Sequence, residues 1–333
     1  MKKILGYLLP IAIAAFLLWY AYRDQDFSKM MLDMSEASPL AVSLTFVTTL
    51  IAHFIRALRW NMLFEPLGYH ATSSGSFLAV MSGYFANLLV PRAGELSRCT
   101  ILAASEDIPI QTAIGTVLAE RGFDMLMLLL IALAAFGLEY ETLSHFLARM
   151  QEQYGISDSG GSNLKFIFLG GMVVCGLFVF IFRNTLSQIP VVAKILGMIK
   201  GLMDGLLSVT KLKQPLLFTI YTFLIWGGYY MTTYFSLWMF GFTGDLGWNA
   251  AFMLLIVGSF GIVVPVPGAV GGPFQVFVSA ALIQLYHKEP QMSITAASMM
   301  YWCQVFFSLT FGGVCYLLAI VKANQKKRRL INV

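Results

Sequence analysis

Two stretches decide how this chain is read: Asn87-Leu-Leu-Val-Pro91-Arg92-Ala-Gly94-Glu95-Leu-Ser-Arg98 and Val264-Pro265-Val-Pro267-Gly268-Ala-Val-Gly271-Gly272-Pro273. Each interrupts apolar sequence where a regular helix would be expected. Proline lacks a backbone N–H and clashes with the preceding turn, so neither stretch reads as helix interior. Broken backbone at membrane depth survives only where protein or a water-filled cavity surrounds it. Such breaks at corresponding places in two halves of a chain point to a binding site near the bilayer midplane.

The surrounding composition fits a bilayer. The chain is 58% hydrophobic and 12% charged, with a mean hydropathy of +0.74. A soluble domain carries about 25% charged residues. Apolar segments of about 20 residues read as spans: Ile4–Tyr22, Pro39–Trp60, Thr112–Gly137, Leu164–Phe182, Pro215–Phe240 and Ser293–Val321. Around the breaks lie shorter arms, Ser76–Val90 with Leu96–Ser105 and Trp248–Val264 with Phe274–Tyr286. These read as two re-entrant hairpins. The expected fold is an all-α polytopic membrane protein of six full spans plus two broken hairpins. Ten full spans would satisfy the same parity. The stretch after Met1-Lys2-Lys3 is longer than a signal h-region and lacks a clear cleavage site, so it reads as a retained first helix.

The halves correspond. Pro39 precedes Pro91 by 52 residues, and Pro215 precedes Pro265 by 50. Each half reads helix, helix, broken hairpin, helix. This predicts an inverted-topology repeat, with residues 1–137 and 164–321 as its two parts and 322–333 as a basic tail, all within one transmembrane domain. Loop charge gives the orientation. Lys2, Lys3, the lysine-rich connector 183–214 and the tail residues Lys322, Lys326, Lys327, Arg328 and Arg329 go to the cytoplasm. The acidic loops 23–38 and 138–163 go outside. The tail also reads as an anionic-lipid contact, and the location as a bacterial inner membrane. Gly197, Gly201 and Gly205, four apart, fit close helix contact or an interfacial helix equally well.

Ionisable residues within spans are costly, and each is a functional candidate. Three groups stand out: Arg56 with Arg59; Arg92, Glu95 and Arg98 through the first break; and Glu120, Arg121 and Asp124. Glu120 and Asp124 share a helix face, and Arg121 is placed to pair with Asp124. Together these are five arginines against three carboxylates, a surplus that suits an anion such as phosphate, which arginine grips bidentately. Arg56 and Arg59 read first as snorkelling to the cytoplasmic interface and second as substrate contacts. For Glu120, Arg121 and Asp124 a structural ion-pair network weighs as much as a binding role. Asn87, Pro91 and Gly94, like Pro265, Pro267, Gly268, Gly271, Gly272 and Gln275, would supply the breaks with backbone freedom and polar groups. Trp60 and Trp248 read as interfacial aromatics. His53, His70, His145 and His287 are isolated, the four cysteines are scattered, and no phosphate-loop, zinc or serine-hydrolase motif is present. No catalytic residue, metal or cofactor is expected, and no nucleic-acid partner.

The stretches Arg56-Ala-Leu-Arg59-Trp60, Asn87-x3-Pro91-Arg92-Ala-Gly94-Glu95-x2-Arg98, Glu120-Arg121-x2-Asp124 and Pro265-x2-Gly268-x2-Gly271 resemble the transmembrane family of lysylphosphatidylglycerol synthases, flippase-like membrane proteins. The resemblance covers nearly the whole chain. It implies lipid translocation between leaflets, and it argues against lipid synthesis because the soluble aminoacyltransferase domain of the best-known relatives has no counterpart here. The implied substrate is a phosphate-bearing membrane lipid, either an aminoacylated phospholipid or a polyprenyl lipid. A separate synthase or further copies of the chain are possible partners. The alternatives are an integral membrane transferase acting on a lipid phosphate, with Glu95 or Asp124 as base, and a non-transporting envelope assembly partner. One departure stands out: where that family often carries Glu or His three residues after the last glycine of this motif, here Gly271, this chain has Phe274, with Gln275 beside it.

Overall fold

The computed structural model of the chain describes residues 19, 22–23, 25–90, 93–142, 144–145, 212–263 and 272–331, with side chains as far as Lys326. The span expected at Leu164–Phe182, nearly all of that at Ile4–Tyr22, the connector glycines and residues Pro91, Arg92 and 264–271 lie outside these.

Every regular element among the described residues is helical: α1 (Phe27–Ser35), α2 (Pro39–Met62), α3 (Ser73–Leu89), α4 (Ala93–Ser105), α5 (Ile110–Leu138), α6 (Pro215–Leu237), α7 (Trp248–Val263), α8 (Pro273–Gln284) and α9 (Pro290–Ile331), with a short 3-10 turn at Glu65–Leu67. Local chemistry sets the starts. Asp26 accepts from the N–H groups of Ser28 and Lys29, and Ser38 caps α2 ahead of Pro39. Thr72 accepts from Gly75 N–H at 3.0 Å to open α3. Each supplies an oxygen to N–H groups that have no partner within the helix.

Among the described residues, three stretches combine the length and hydropathy needed to cross a bilayer: Pro39–Leu67, Ile110–Leu138 and Pro290–Lys326. Their outward faces carry exposed apolar side chains, such as Val47, Ile51 and Phe54 on α2 and Leu129 and Leu133 on α5. In water such patches would be a liability; against lipid tails they are the ordinary surface. The arms of the hairpins are shorter. α3 has 17 residues and α4 has 13, or about 25 Å and 20 Å of helix, both less than a hydrocarbon core of about 30 Å.

Two apolar cores sit at opposite ends of α2. One gathers the end of α2 and the start of α6, with Trp60, Leu102 and Phe218 among its members. The other gathers the start of α2, the end of α6, α8 and the first half of α9, with Ala41, Leu237, Leu282 and Ala297. The first hairpin opens at the former end: Ser76 donates to Asn61, and Thr72 donates to Glu106 at 2.6 Å. The second opens at the latter, where Lys288 pairs with Asp245 at 2.7 Å. The first arm of each hairpin packs on a helix distant in sequence, α3 on α9 and α7 on α5.

α9 runs well past the expected end at Val321. Its basic tail is partly engaged within the chain: Lys322 pairs with Glu106 at 2.7 Å and Lys326 with Asp107 at 2.8 Å. From sequence alone those lysines read as lipid contacts. The acidic α4–α5 turn competes for them because it lies against the end of α9.

The hairpin crossings require glycine. A Cβ on Gly83 would lie 2.8 Å from the Gly94 carbonyl, and one on Gly94 would collide with the Gly83 carbonyl and with Asn87 at 2.6 Å. In the second hairpin, a Cβ on Gly261 would lie 2.7 Å from Phe274 Cα. Gly94→Ala should therefore cost about 1–3 kcal/mol by overpacking. Gly115→Ala, where nothing lies within 4 Å, should leave stability unchanged or raise it, since alanine is the better helix former. Thermal unfolding in detergent checks both. A Gly94→Ala protein as stable as its parent would mean that the two arms cross elsewhere.

Candidate functional site

Helix periodicity puts Arg56 and Arg59 on one face of α2, one turn apart, and Glu120 and Asp124 on one face of α5. In the fold these faces meet. Arg56 Nη2 donates to Asp124 Oδ2 at 2.7 Å, and Arg59 Nη2 reaches Asp124 Oδ1 at 2.8 Å and Glu120 Oε1 at 3.3 Å. From α4, Arg98 Nη2 donates to Glu120 Oε2 at 2.8 Å. α6 adds Thr222, whose hydroxyl accepts from Arg59 Nη1 at 3.1 Å. Four helices are thus tied through one set of charges.

This corrects the snorkelling expectation. Arg56 and Arg59 are 4% and 0% exposed. Buried charges persist only when paired, and α5 brings two carboxylates to them. Trp60 is corrected as well. It is fully buried, donates from Nε1 to Thr116 at 2.9 Å, and carries the Arg98 guanidinium 4.7 Å from its ring centroid. A cation over an indole face gains electrostatically, more so where water is excluded.

The outer part of the cluster is different. Arg121 Nε donates to Glu95 Oε1 at 2.6 Å, with side chains 40% and 47% exposed, and Arg121 Nη1 also reaches Asp124 at 3.2 Å. Beside this pair opens a cleft of about 240 Å³, lined by Arg56, Tyr84, Asn87, Glu95, Arg98 and Arg121 among others. The described charges are four arginines against Glu95, Glu120 and Asp124, one positive in excess. The first break is held by Asn87, whose Oδ1 accepts from Gly94 N–H at 2.7 Å.

The structure thus brings together Arg56, Arg59, Asn87, Gly94, Glu95, Arg98, Glu120, Arg121 and Asp124. Glu120 and Arg59 stand behind the cleft lining. Pro91, Arg92, Pro265, Pro267, Gly268 and Gly271 lie outside the described residues. Gly272 and Gln275 are not part of this cleft. Gln275 Oε1 instead accepts from Gly272 N–H at 2.7 Å, the second break's counterpart of the Asn87–Gly94 bond. Phe274 is buried against Tyr301, their centroids 5.6 Å apart.

Sequence reading missed three aromatic neighbours. Tyr84 accepts from Arg56 Nη1 at 3.3 Å, and its hydroxyl lies 3.5 Å from that of Tyr229. His53, taken as isolated, is buried and stacked on Tyr84 with centroids 4.1 Å apart. The available signal was spacing: His53 precedes Arg56 by one turn, and Tyr84 precedes Asn87 by one.

The chain is 29% identical over 137 residues to a UPF0104 membrane protein of Methanocaldococcus jannaschii, covering 40% of this chain and 38% of that protein. It is 23% identical over 260 residues to a UPF0104 membrane protein of Pyrococcus horikoshii, covering 71% and 73%. It is 27% identical over 139 residues to the glycosyltransferase AglD of Haloferax volcanii, covering 40% of this chain and 22% of that protein. The chain thus spans well under half the length of the first and last of these relatives. No solved structure matches it significantly. The family described as the lysylphosphatidylglycerol synthase TM region matches residues 7–312, which takes in every helix of the charged cluster, and the chain is a multi-pass membrane protein of that family.

Proposed function

We propose that the chain moves a phosphate-bearing lipid, either an aminoacylated phospholipid or a polyprenyl lipid, between the leaflets of the inner (cytoplasmic) membrane. The observation that carries this reading is the cationic cleft beside the first break. A buried framework of Arg56, Arg59, Glu120 and Asp124 holds Arg98 and Arg121 in the lining of the cleft. Arginine suits phosphate because its planar fork meets two oxygens at once.

The cluster divides the work by burial. The inner pairs are expensive to break, about 3–5 kcal/mol for loss of one partner. The exposed Glu95–Arg121 pair is worth only about 0–1 kcal/mol. An entering phosphate would displace Glu95 from Arg121 and leave the framework intact. Glu95 would then act as a placeholder for the absent anion.

The architecture that supports transport is a pair of hairpins entering from opposite faces, in an inverted-topology repeat of six spans and two re-entrant elements. The contacts of both hairpin mouths, and the exchange of α3 and α7 onto the partner half's last helix, support that reading. The pairing of the basic tail with the turn after α4 would set the first hairpin's mouth on the cytoplasmic side, with both termini there.

In vesicles carrying a fluorescent phosphatidylglycerol, Arg98→Lys and Arg121→Lys should each slow leaflet exchange at least about tenfold, because lysine lacks the fork. Glu95→Gln should tighten retention of the anionic lipid, since it frees Arg121. Glu120→Gln should instead lower the unfolding temperature, as it strips a carboxylate from three arginines. Unchanged exchange in both lysine variants would leave the cluster as scaffolding alone. A change in lipid mass rather than in leaflet would make the chain a transferase.

A further inference from the structure

Arg98 lines the cleft beside the first break with most of its donors unspent. A guanidinium carries five N–H donors. Among the described residues, Arg98 makes one side-chain hydrogen bond, from Nη2 to Glu120 Oε2 at 2.8 Å. The other arginines make more. Arg56 donates to Tyr84 and Asp124, Arg121 to Glu95 and Asp124, and Arg59 to Thr222, Glu120 and Asp124. Arg98 is nevertheless buried, and its Nε has no hydrogen-bond partner. The same atom is unbonded in Arg56 and Arg59. There, however, Glu120 Oε1 lies 3.4 Å from Arg56 Nε, and Arg59 stands behind the lining. A buried donor without an acceptor is costly. An arginine left in that state at a cleft wall is suited to receive an anion.

Trp60 meets the charge of Arg98 by another route. The guanidinium carbon lies 4.7 Å from the indole centroid. Arg56 lies farther from Tyr229, at 5.7 Å, and Arg59 from Phe218, at 5.6 Å. Tryptophan also has the strongest of the aromatic faces. An indole face attracts the cation and offers no oxygen acceptor, so the N–H groups stay available to an oxyanion. A second carboxylate would steady Arg98 too, but by filling it. The indole is itself fixed. Its Nε1 donates to Thr116 at 2.9 Å, and the Thr116 hydroxyl donates to Ala113 O at 2.8 Å. Gly83 completes the seat, since a Cβ there would lie 3.3 Å from Arg98 Cβ. Trp60 has no exposure and is not part of the cleft lining. It can act on a ligand only through Arg98.

We infer that Trp60 is a positioning residue: it balances and orients the Arg98 guanidinium without occupying its donors, and so makes Arg98 the arginine that first receives the lipid phosphate. This rests on the translocase reading and assigns a role within its site. The cleft is narrow, and with Glu95 seated on Arg121 it admits about one oxygen-sized group. The first phosphate oxygen goes to Arg98. Departure of Glu95 then admits the rest and frees Arg121.

The test is a double-mutant cycle on the purified full-length chain in detergent. The probe is a fluorescent phosphatidylglycerol, with a fluorescent diacylglycerol of the same acyl chains as the uncharged control. The readings are the half-saturating lipid concentration and the unfolding temperature. Trp60→Phe keeps a ring with a weaker face. It should raise half-saturation for phosphatidylglycerol about three- to tenfold, the range a weakened cation–π contact supplies, and leave diacylglycerol unchanged. Its unfolding temperature should fall as well, but a packing defect would not discriminate by headgroup charge. In an Arg98→Gln background, where Glu120 keeps Arg56 and Arg59, the same change should weaken binding no further, because the group it acts through is gone. Thr116→Val releases the indole Nε1 and should weaken phosphatidylglycerol about threefold, the low end of the same range. It stands in if Trp60→Phe fails to fold. An equal loss in both backgrounds, a loss shared by diacylglycerol, or no loss at all makes Trp60 a packing residue and overturns the inference. Leaflet exchange measured in parallel separates the two ideas. Exchange that is indifferent to Trp60, with unchanged binding, sinks the positioning role alone. The expected cycle without exchange by the parent chain keeps the positioning role and removes the translocase. A parent chain that binds both lipids equally removes the phosphate site and the inference with it.

Discussion

Arg59 is the residue around which the described structure is organised. It has no exposure, and its guanidinium is shared among Glu120, Asp124 and Thr222. A charge with no access to water must find all its partners inside the protein. That requirement fixes the register of α2 against α5 and α6. Arg56 and Arg98 add two further ties to the same carboxylates. Such a network is a weak source of net stability, because desolvation offsets most of the attraction. Its contribution is specificity: sliding any of these helices by a turn would strand a charge in an apolar interior.

The breaks depend on that frame. A helix end inside a bilayer exposes N–H and C=O groups that lipid cannot satisfy. Each break meets part of this demand with a side-chain amide, Asn87 on Gly94 and Gln275 on Gly272. The arms then cross at backbone contact distance, which Gly83 and Gly94 permit in one hairpin and Gly261 in the other. Close crossing brings Arg98 on α4 to within reach of α5. Glycine contact and ion pairing therefore support one another.

The surroundings of the two breaks differ in chemistry. The cleft beside the first break is cationic; a second cleft, between α6, α7, α8 and α9, is lined by Thr232, Thr233, Ser236 and Ser259 and by no charged residue. Phe274 occupies the second cleft's wall and is wedged against Gly258, where an added Cβ would lie 2.7 Å from its ring. An ionisable group there would face no counter-charge in the lining.

Much was legible in the sequence because it is local. Apolar length marks α2, α5 and α9, and proline and glycine mark the breaks, since both act through the backbone of the residues that carry them. The three-residue spacing of Arg56 and Arg59, and the four-residue spacing of Glu120 and Asp124, place each pair on one face without knowledge of the fold. What the sequence by itself could not supply is the partner of each face. Arg56 and Arg59 read as snorkelling side chains, and Trp60 as an interfacial ring, because a single helix offers them no interior counter-charge. Lys322 read as a lipid contact because Glu106 is 216 residues away. Helical periodicity says which side chains stand together; only packing between distant helices says what they face, and the energy of a buried charge depends on what it faces.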